Sequence, residues 1–338
     1  MFSQRTICTI HKLLFAALLL SGAPMLAIAT HAPVSPPKLS SGNAGAATVN
    51  RSAAVQEPDE DGASAIQMTT IDVPAALSTS PLGISTAGDI VGAYVDASHQ
   101  QHGFLLSKGT FTSIDYPGAM ATDARGINRR GDIVGTFVNA PGGPPNMHGY
   151  LLSHGTFTEV QYPGSLGSIA QRILPNGNIY GCVHDKDFMA SMHAFVRTAE
   201  GFTVLDRPAS MSNGATPDGS TVAGLYTDMM GTTRGYTIED GEFTAFDVPG
   251  SNFTEGWDIN PQGDIVGDFR DLAGKTHGFL RTEDGYNIID FPAATLTVAR
   301  GINPRGDIVG RYTDAQGKTH GFLRAKPRAT SEAGNTGN

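Results

Sequence analysis

Short apolar runs recur along the chain, and many consist of two adjacent apolar residues followed by turn residues. Ile308-Val309 and Phe322-Leu323 are examples. Because side chains alternate between the two faces of a β-strand, such a pair places one apolar side chain on each face. Strands of an open sandwich more often alternate apolar and polar residues. The pattern therefore predicts sheets that are covered on both sides.

An Ile-Val-Gly run recurs six times, with variations, at nearly constant spacing. Its glycines are 43, 46, 43, 43 and 43 residues apart, at Gly92, Gly135, Gly181, Gly224, Gly267 and Gly310. A period near 43 residues with little helical patterning is typical of one blade of a β-propeller. We predict an all-β fold, a six-bladed β-propeller of four-stranded antiparallel blades over residues 66–324.

The strands of one unit follow from turn residues and apolar runs. In the last unit, the first three strands are predicted at Val298–Asn303, Asp307–Tyr312 and His320–Leu323. The turn Asn303-Pro304-Arg305-Gly306 separates the first two, with proline and glycine at positions that suit their backbone angles. The fourth strand is predicted to resemble residues 111–117.

The two ends of the array complement each other. The sixth unit stops at Arg324 without a fourth strand, whereas Met68–Pro74 precedes the first unit and resembles residues 111–117 position by position. A last blade that takes its outer strand from the N-terminal side leaves no open sheet edge. An open β-solenoid is the alternative fold, but it gives no reason for this complementarity.

A tripeptide downstream of each Ile-Val-Gly run suggests a family. It reads His193-Ala194-Phe195 in unit three, His-Gly-Phe or His-Gly-Tyr at residues 102–104, 148–150, 277–279 and 320–322, and Arg-Gly-Tyr at residues 234–236. The chain thus resembles the extracellular repeat proteins named for a His-Ala-Phe (HAF) motif. The resemblance implies secretion and a repeated β fold, and it implies no particular activity.

The N-terminal segment has the features of a signal peptide. Arg5 and Lys12 precede the apolar run 13–20, and Ala27 and Ala29 fit the small-x-small cleavage pattern. We predict a signal peptide at residues 1–29 and an exported protein, secreted or held in the periplasm or at the cell surface. The apolar run is well short of the roughly 20 residues of a spanning helix, so we expect no membrane span after cleavage.

Two further segments have few large apolar residues. Residues 30–65 and 325–338 are rich in small and polar residues, and such segments cannot bury enough surface to offset their chain entropy. We predict a disordered leader and a disordered tail. Cys8 lies in the signal, so Cys182 is alone in the mature chain, and its strand-like context predicts a buried, inert thiol.

The acidic balance limits the partners. Without Arg5 and Lys12, 21 basic residues face 32 acidic ones, a net charge of about −11. This excludes nucleic acid as an expected partner. A protein or glycan ligand stays open, and we expect a monomer.

Repeated histidines and aspartates are the first candidates for chemistry. Metal ligands must converge on one point, whereas equivalent histidines of different blades are far apart. Calcium needs six to eight oxygen ligands, and a single loop offers too few. We therefore predict structural roles for both residue types, and no cofactor. The repeated positions are His102, His148, His193, His277 and His320, with Asp96, Asp185, Asp228, Asp271 and Asp314.

Function is expected where the repeats stop agreeing, in the segments between a fourth strand and the next first strand. We predict these segments to be loops around the mouth of the axial channel, where a rigid scaffold usually carries its binding residues. The candidate ligand-binding residues are Asn252, Phe253, Glu255, Trp257 and Asp258, joined by Asp123, Arg125, Arg172 and Arg300 from other blades.

Two functions remain open for this cluster. Gly-x-Ser-x-Gly, phosphate-loop and zinc-protease motifs are all absent from the sequence, which favours a non-enzymatic binding module. Trp257 beside carboxylates would alternatively suit a sugar platform or an acid/base site of an extracellular hydrolase or lyase. A purely structural interpretation also stays open, with Trp257 filling the gap between blades and the charges forming ion pairs across the channel.

Overall fold

The computed structural model describes residues 67–141, 146–184 and 192–327, without the side chains of residues 206–208. These residues form 24 β-strands in six four-stranded antiparallel sheets. No helix long and apolar enough to span a membrane occurs among them. The predicted signal peptide, the whole predicted leader and most of the predicted tail lie outside the described ranges.

Each of the six sheets forms one blade. In five of the blades, the four strands are consecutive in sequence. Blade 1 contains β2 (Ser78–Ile84), β3 (Ile90–Val95), β4 (Gln101–Ser107) and β5 (Thr110–Ile114). Blade 2 contains β6 (Ala121–Ile127), β7 (Ile133–Val138), β8 (Met147–Ser153) and β9 (Thr156–Val160). Blade 3 contains β10 (Gly167–Ile173), β11 (Ile179–His184), β12 (Met192–Arg197) and β13 (Phe202–Pro208).

Blade 4 contains β14 (Ser210–Ala215), β15 (Thr221–Thr227), β16 (Thr233–Glu239) and β17 (Glu242–Phe246). Blade 5 contains β18 (Ser251–Ile259), β19 (Ile265–Asp271), β20 (Thr276–Thr282) and β21 (Gly285–Ile289). Blade 6 contains β22 (Leu296–Ile302), β23 (Ile308–Thr313) and β24 (Thr319–Ala325), with β1 (Gln67–Ile71) as its outer strand.

The sheets are arranged as a ring. The first strand of each blade contacts the first strand of the next, and β22 contacts β2, so these six strands surround a common axis. In blade 6, β1 pairs antiparallel with β24, with Gln67 opposite Ala325 and Ile71 opposite Gly321. The six-bladed propeller predicted from the sequence is therefore confirmed.

The glycine of the Ile-Val-Gly run is required by close packing. A Cβ atom on Gly267 would lie 1.9 Å from the Glu255 carbonyl oxygen on the neighbouring first strand and 2.6 Å from the Phe279 ring. The same clash, with the aromatic residue of the His-Gly-Phe tripeptide, recurs at the other five glycines. The repeat thus encodes a glycine with an aromatic ring packed over it.

The hydrophobic core lies between blades. In one cluster, Val91 and Ile114 of blade 1 pack against Ala124, Ile127 and other residues of blade 2, and similar clusters join the remaining blades. Each sheet is therefore covered on both faces, as the adjacent apolar pairs predict.

Some predicted boundaries are wrong. The fourth strand of blade 1 ends at Ile114, three residues before the predicted Pro117. β24 continues to Ala325, one residue into the predicted tail. The divergent segments predicted as loops are largely the first strands, since β18 alone contains residues 251–259. The predicted site residues in these segments therefore lie mostly on β-strands that surround the axis.

Candidate functional site

Each first strand contains a β-bulge at an equivalent position, where one residue has no partner on the second strand. A bulge redirects its side chain relative to the regular alternation of the strand. The bulged residues are Leu82, Arg125, Gln171, Asn213, Trp257 and Arg300. Together with Arg172 they line a cavity of ≈ 10 Å³, about the space of one water molecule. Side chains thus fill the axis at this level.

The residue after the bulge is glycine in four blades, Arg172 in blade 3 and Asp258 in blade 5. Arg172 Nη2 lies 3.0 Å from Asp258 Oδ2, across the intervening blade 4. A Cβ atom on Gly214 would lie 2.9 Å from Asp258 Oδ1, and one on Gly83 would lie 2.9 Å from Arg172 Nη1. The glycines therefore leave the room that this buried ion pair occupies.

Asp258 is held entirely by the protein. Its Oδ1 accepts the Ile259 N–H and its Oδ2 the Ile302 N–H, both at 3.0 Å. Burial raises the pKa of Asp258, and the Arg172 guanidinium opposes this rise. The contacts make Asp258 a link between blades and leave it little freedom for acid/base chemistry.

A second ion pair lies within blade 2. Arg125 Nε and Nη2 donate to the two carboxylate oxygens of Asp123 at 2.9 and 2.7 Å, and Arg125 Nη1 donates to Gln171 Oε1 at 3.0 Å. Asp123 Oδ1 also accepts the Thr136 N–H at 2.8 Å. This bidentate pair is likewise committed to the fold.

Trp257 is not an open platform for a sugar. Its side chain is 7% exposed, and the Arg300 guanidinium lies 3.4 Å above its ring. Its Nε1 donates to Asp268 Oδ1 at 2.6 Å. The indole lies among the bulged side chains around the axial cavity.

Glu255 has a different environment. It is buried and lies opposite Asp268 on the next strand. Burial and the negative charge of Asp268 raise the pKa of Glu255 to about 8, although Arg300, Arg311 and Arg270 lower it. Burial and Asp268 thus favour the protonated form of Glu255, which makes it the axial carboxyl group best suited to donate a proton.

The arginines near Glu255 are also perturbed. Burial, with the positive charge of Arg311, lowers the pKa of Arg300 to about 9, and burial lowers the pKa of Arg311. Arg300 Nε is buried without a hydrogen-bond partner among the described residues. Several buried charged groups thus converge here, and the described residues do not supply a hydrogen-bond partner for all of them.

Asn252 and Phe253 lie apart from this cluster, at the beginning of β18. Asn252 is exposed at a second bulge of that strand. Phe253 is half-buried, with the Arg270 guanidinium 4.9 Å from its ring centroid. Of the nine predicted site residues, seven thus lie close to the axis, whereas Asn252 and Phe253 lie at the N-terminal end of β18.

The sequence prediction missed Asp268, Arg270 and Arg311. Asp268 and Arg311 directly follow the glycine of the Ile-Val-Gly run, where the other blades have Ala, Thr, Cys or Leu. The second strand therefore carries the same signal of disagreement among repeats that identified the first-strand residues.

The repeated histidines form clamps near the rim. His277 Nδ1 lies 2.9 Å from Asp290 Oδ2 and its Nε2 lies 3.4 Å from Asp271 Oδ2. Blades 1 and 6 repeat this arrangement, and Arg234 replaces the histidine in blade 4, between Asp228 and Asp247. The structural role predicted for these residues is confirmed there.

Metal and thiol chemistry find no further support. Within the described ranges, no group of three or more His, Cys, Asp or Glu side chains is placed to hold a metal ion. Cys182 is fully buried, and burial raises the pKa of its thiol to about 12. The prediction of a buried cysteine is confirmed.

Comparisons with known proteins add little. No family model matches the chain, and no curated protein is significantly similar to it; the HAF resemblance therefore stays a prediction. Among solved structures, a gluconolactonase from Xanthomonas campestris is similar at 12% identity and a TM-score of 0.49, over 77% of this chain and 90% of that one.

Two other solved structures are similar at the same level. TolB from Acinetobacter baumannii matches at 13% identity and a TM-score of 0.49, over 72% of this chain and 65% of that one. A fucose-binding lectin from Aleuria aurantia matches at 11% identity and a TM-score of 0.47, over 72% and 89%. Likenesses this weak carry no functional conclusion.

Proposed function

We propose that this protein is an exported, non-enzymatic binding module that presents one end of its propeller to a protein partner. That end, the loop face, carries the loops from second to third strands and from fourth to first strands. The distribution of exposed apolar side chains carries the proposal. Among the described residues, six of seven exposed large apolar side chains belong to the loop face: Leu77, Met120, Leu166, Met229, Met230 and Leu272.

These side chains are spread over five blades. Leu77, Met120 and Leu166 directly precede the first strands of blades 1, 2 and 3, and Met229 and Met230 lie between the second and third strands of blade 4. Met229 is fully exposed and Met230 is 88% exposed. A partner that covers the loop face would contact several of these apolar side chains at once, and methionine adapts to varied partners.

Two observations disfavour catalysis at the axis. The axial cavity has room for about one water molecule, and Asp123 and Asp258 are both bound to arginine. The axis therefore serves as a rigid centre for the loop face.

Photo-crosslinking from single positions tests the proposal. A photoreactive residue at position 230 should capture a protein from the source organism's exported fraction, and the conjugate should disappear in a Leu77→Gln, Leu166→Gln variant. A photoreactive residue at Ile288, exposed on the outer strand of blade 5, is the matched control. Equal capture from both positions would contradict the proposal, as would binding to a glycan array with no protein captured.

An extracellular hydrolase or lyase remains a second candidate, favoured by Glu255 alone. A protonated Glu255 beside Asp268 resembles the paired carboxyl groups of glycoside hydrolysis, one held protonated to act as the acid. Incubation of the purified protein with a panel of polysaccharides, followed by a reducing-end assay, tests this function. Depolymerisation that Glu255→Gln abolishes would replace the binding module as the conclusion.

A further inference from the structure

A stacking slot recurs where one blade meets the next, at the loop that follows the outer strand. In blade 2, Tyr116 from this loop stacks on Phe137, with ring centroids 3.7 Å apart and planes at 2°. In blade 6, Phe291 stacks on Tyr312 at 3.7 Å and 3°. Phe137 and Tyr312 are in turn stacked on the tripeptide histidines of their blades, at 5.2 Å from His148 and 5.0 Å from His320.

Two more aromatic rings form the walls of the slot in blade 2. Tyr116 is perpendicular to Phe157 at 5.2 Å and tilted against Tyr150 at 6.1 Å. Tyr150 and Phe157 themselves meet edge to face at 5.3 Å and 67°. The protein therefore builds an aromatic cage and fills it with its own ring.

Blade 1 has the same cage with a different filling residue. Tyr94 takes the place of Phe137 and stacks on His102 at 5.0 Å. Phe104 and Phe111 take the places of Tyr150 and Phe157, and meet at 5.5 Å and 69°. The residue equivalent to Tyr116 is Val73, in Asp72-Val73-Pro74 where the next loop has Asp115-Tyr116-Pro117.

A pocket lies over Tyr94, beside the residue that replaces the stacked ring. Its volume is ≈ 440 Å³, and it is lined by Val73, Ala76, Tyr94, Phe104 and Phe111, with Thr112 and Ser113 at its opening. This size lies within the range of small-molecule sites, about 300–1,000 Å³. The valine alone does not open a pocket of this kind, because Val248 in blade 5 is buried and packs within the cluster of Phe269 and Phe279. Val73 is only half-buried.

We propose that the pocket on Tyr94 binds a small molecule with one neutral aromatic ring, stacked as Tyr116 and Phe291 are in their slots. Offset or parallel stacking with edge-to-face neighbours stabilises aromatic groups beyond the burial of their area. The ligand therefore supplies the ring that the repeat supplies elsewhere from its own chain.

Polar residues at the opening of the pocket select among aromatic compounds. Ser113 occupies the position of Glu159 in blade 2, and its hydroxyl is hydrogen-bonded to the Tyr94 hydroxyl. It is placed to bond a phenolic hydroxyl group. Asp96 also lines the pocket. The Gln100 and Ser98 N–H groups hold the pKa of Asp96 below its usual value, so its side chain is negatively charged at neutral pH. A phenol should bind, whereas benzoate should be repelled.

Equilibrium dialysis of the full chain with p-cresol tests the site. We expect saturable binding of one p-cresol per chain at pH 7, and at least tenfold weaker binding of benzoate and of the non-planar cyclohexanol. Val73→Tyr restores the sequence of the next loop, so it should abolish binding and raise the melting temperature. Absence of saturable binding, or binding that survives Val73→Tyr, would overturn the proposal.

A reciprocal variant removes the ambiguity of a single substitution. Tyr116→Ala leaves a side chain smaller than the valine that closes the slot of blade 5, so it should open a pocket on Phe137 and raise the stoichiometry towards two p-cresol molecules per chain. Should Tyr116→Ala melt too low to assay, Val248→Tyr serves as the second variant: it should leave p-cresol binding intact, because Val248 does not line the pocket. Loss of p-cresol binding in Val248→Tyr would contradict the assignment. Binding of p-cresol only after removal of residues 30–66 would contradict it too, because that segment of the protein would then be the occupant of the pocket.

Discussion

The rim and the axis of the propeller use the same repeat in opposite ways. At the rim, the clamps of blades 1, 5 and 6 consist of the same three residue types in the same geometry, His between two Asp. At the axis, the six bulged positions hold five residue types, and only arginine occurs twice. The bulged side chains differ because each must fit its neighbours around one shared centre.

The difference concerns where a contact is made. A clamp bonds residues of its own blade, so one solution recurs in blades 1, 5 and 6 and, with arginine in place of histidine, in blade 4. An axial residue contacts other blades, as Arg172 does with Asp258, and six identical side chains on an axis would repel or leave space. The repeats therefore differ in sequence at the positions where residues of different blades contact one another around the axis.

The largest loss of stability is expected at the rim of blade 6, since the clamp of this blade joins the two ends of the ring. Deletion of Met68–Pro74 removes β1 and Asp72, the partner of His320 at 2.6 Å, and exposes the edge of β24. We expect a loss of more than about 4 kcal/mol in the free energy of unfolding. Urea denaturation measures it. Deletion of residues 30–65, the predicted leader, should leave the midpoint unchanged; equal midpoints for both deletions would refute closure by β1.

The axial ion pair should be the next most sensitive element. Arg172→Met leaves Asp258 buried and charged without its partner, so we expect a loss of about 3–5 kcal/mol. Arg130→Met is the matched control, because the Arg130 side chain is 49% exposed in its pair with Asp132 and should lose no more than about 1 kcal/mol. Thermal and urea unfolding compare the two. Similar losses would mean that the axis is no more constrained than the surface.

Glu255 sharpens the comparison through pH. Its pKa is raised to about 8 in the folded protein, so the folded state binds more protons than the unfolded state between pH 4.5 and 8. Stability should therefore fall as pH rises through this window, by up to about 1.4 kcal/mol per pH unit. Urea unfolding from pH 5 to 8 should show a shallower slope for Glu255→Gln. Exposed Glu242 gives the control, since Glu242→Gln should keep the wild-type slope.

The smallest effect is expected from exchanging one clamp type for the other. Blade 4 uses Arg234 between Asp228 and Asp247 where blade 5 uses His277 between Asp271 and Asp290. His277→Arg should shift the melting temperature by no more than about 2 °C, whereas His277→Leu should lower it further by removing the polar group that lies between Asp271 and Asp290. A large loss in His277→Arg would show that the clamps are less interchangeable than their repetition indicates.

The fold was accessible from the sequence because its determinants are local and repeated. Gly267 and Phe279, for example, belong to one packing unit within a single blade, and five further copies make their spacing visible. Strand limits were less accessible. Ser251–Ile259 has no regular alternation of apolar and polar residues because its two bulges interrupt the period of two, so it resembled a loop.

The axial cluster was accessible only in part. Disagreement among repeats identified Arg172, Trp257 and Asp258, but their partners depend on register and on the closure of the ring. Nothing local indicates that Asp258 meets an arginine two blades away, or that Glu255 faces Asp268 across a strand pair. Such pairings become visible only after the strands are aligned in three dimensions.

The pairing of β1 with β24 also determines how the ring would respond to force. Gln67 and Ala325 lie opposite each other at the same end of this strand pair. Tension applied through the two flanking segments would therefore load the hydrogen bonds of the pair one after another, as in a zipper, rather than all together in shear. A propeller stable against heat would then open at blade 6 under a modest pull, while the other five blades remain folded.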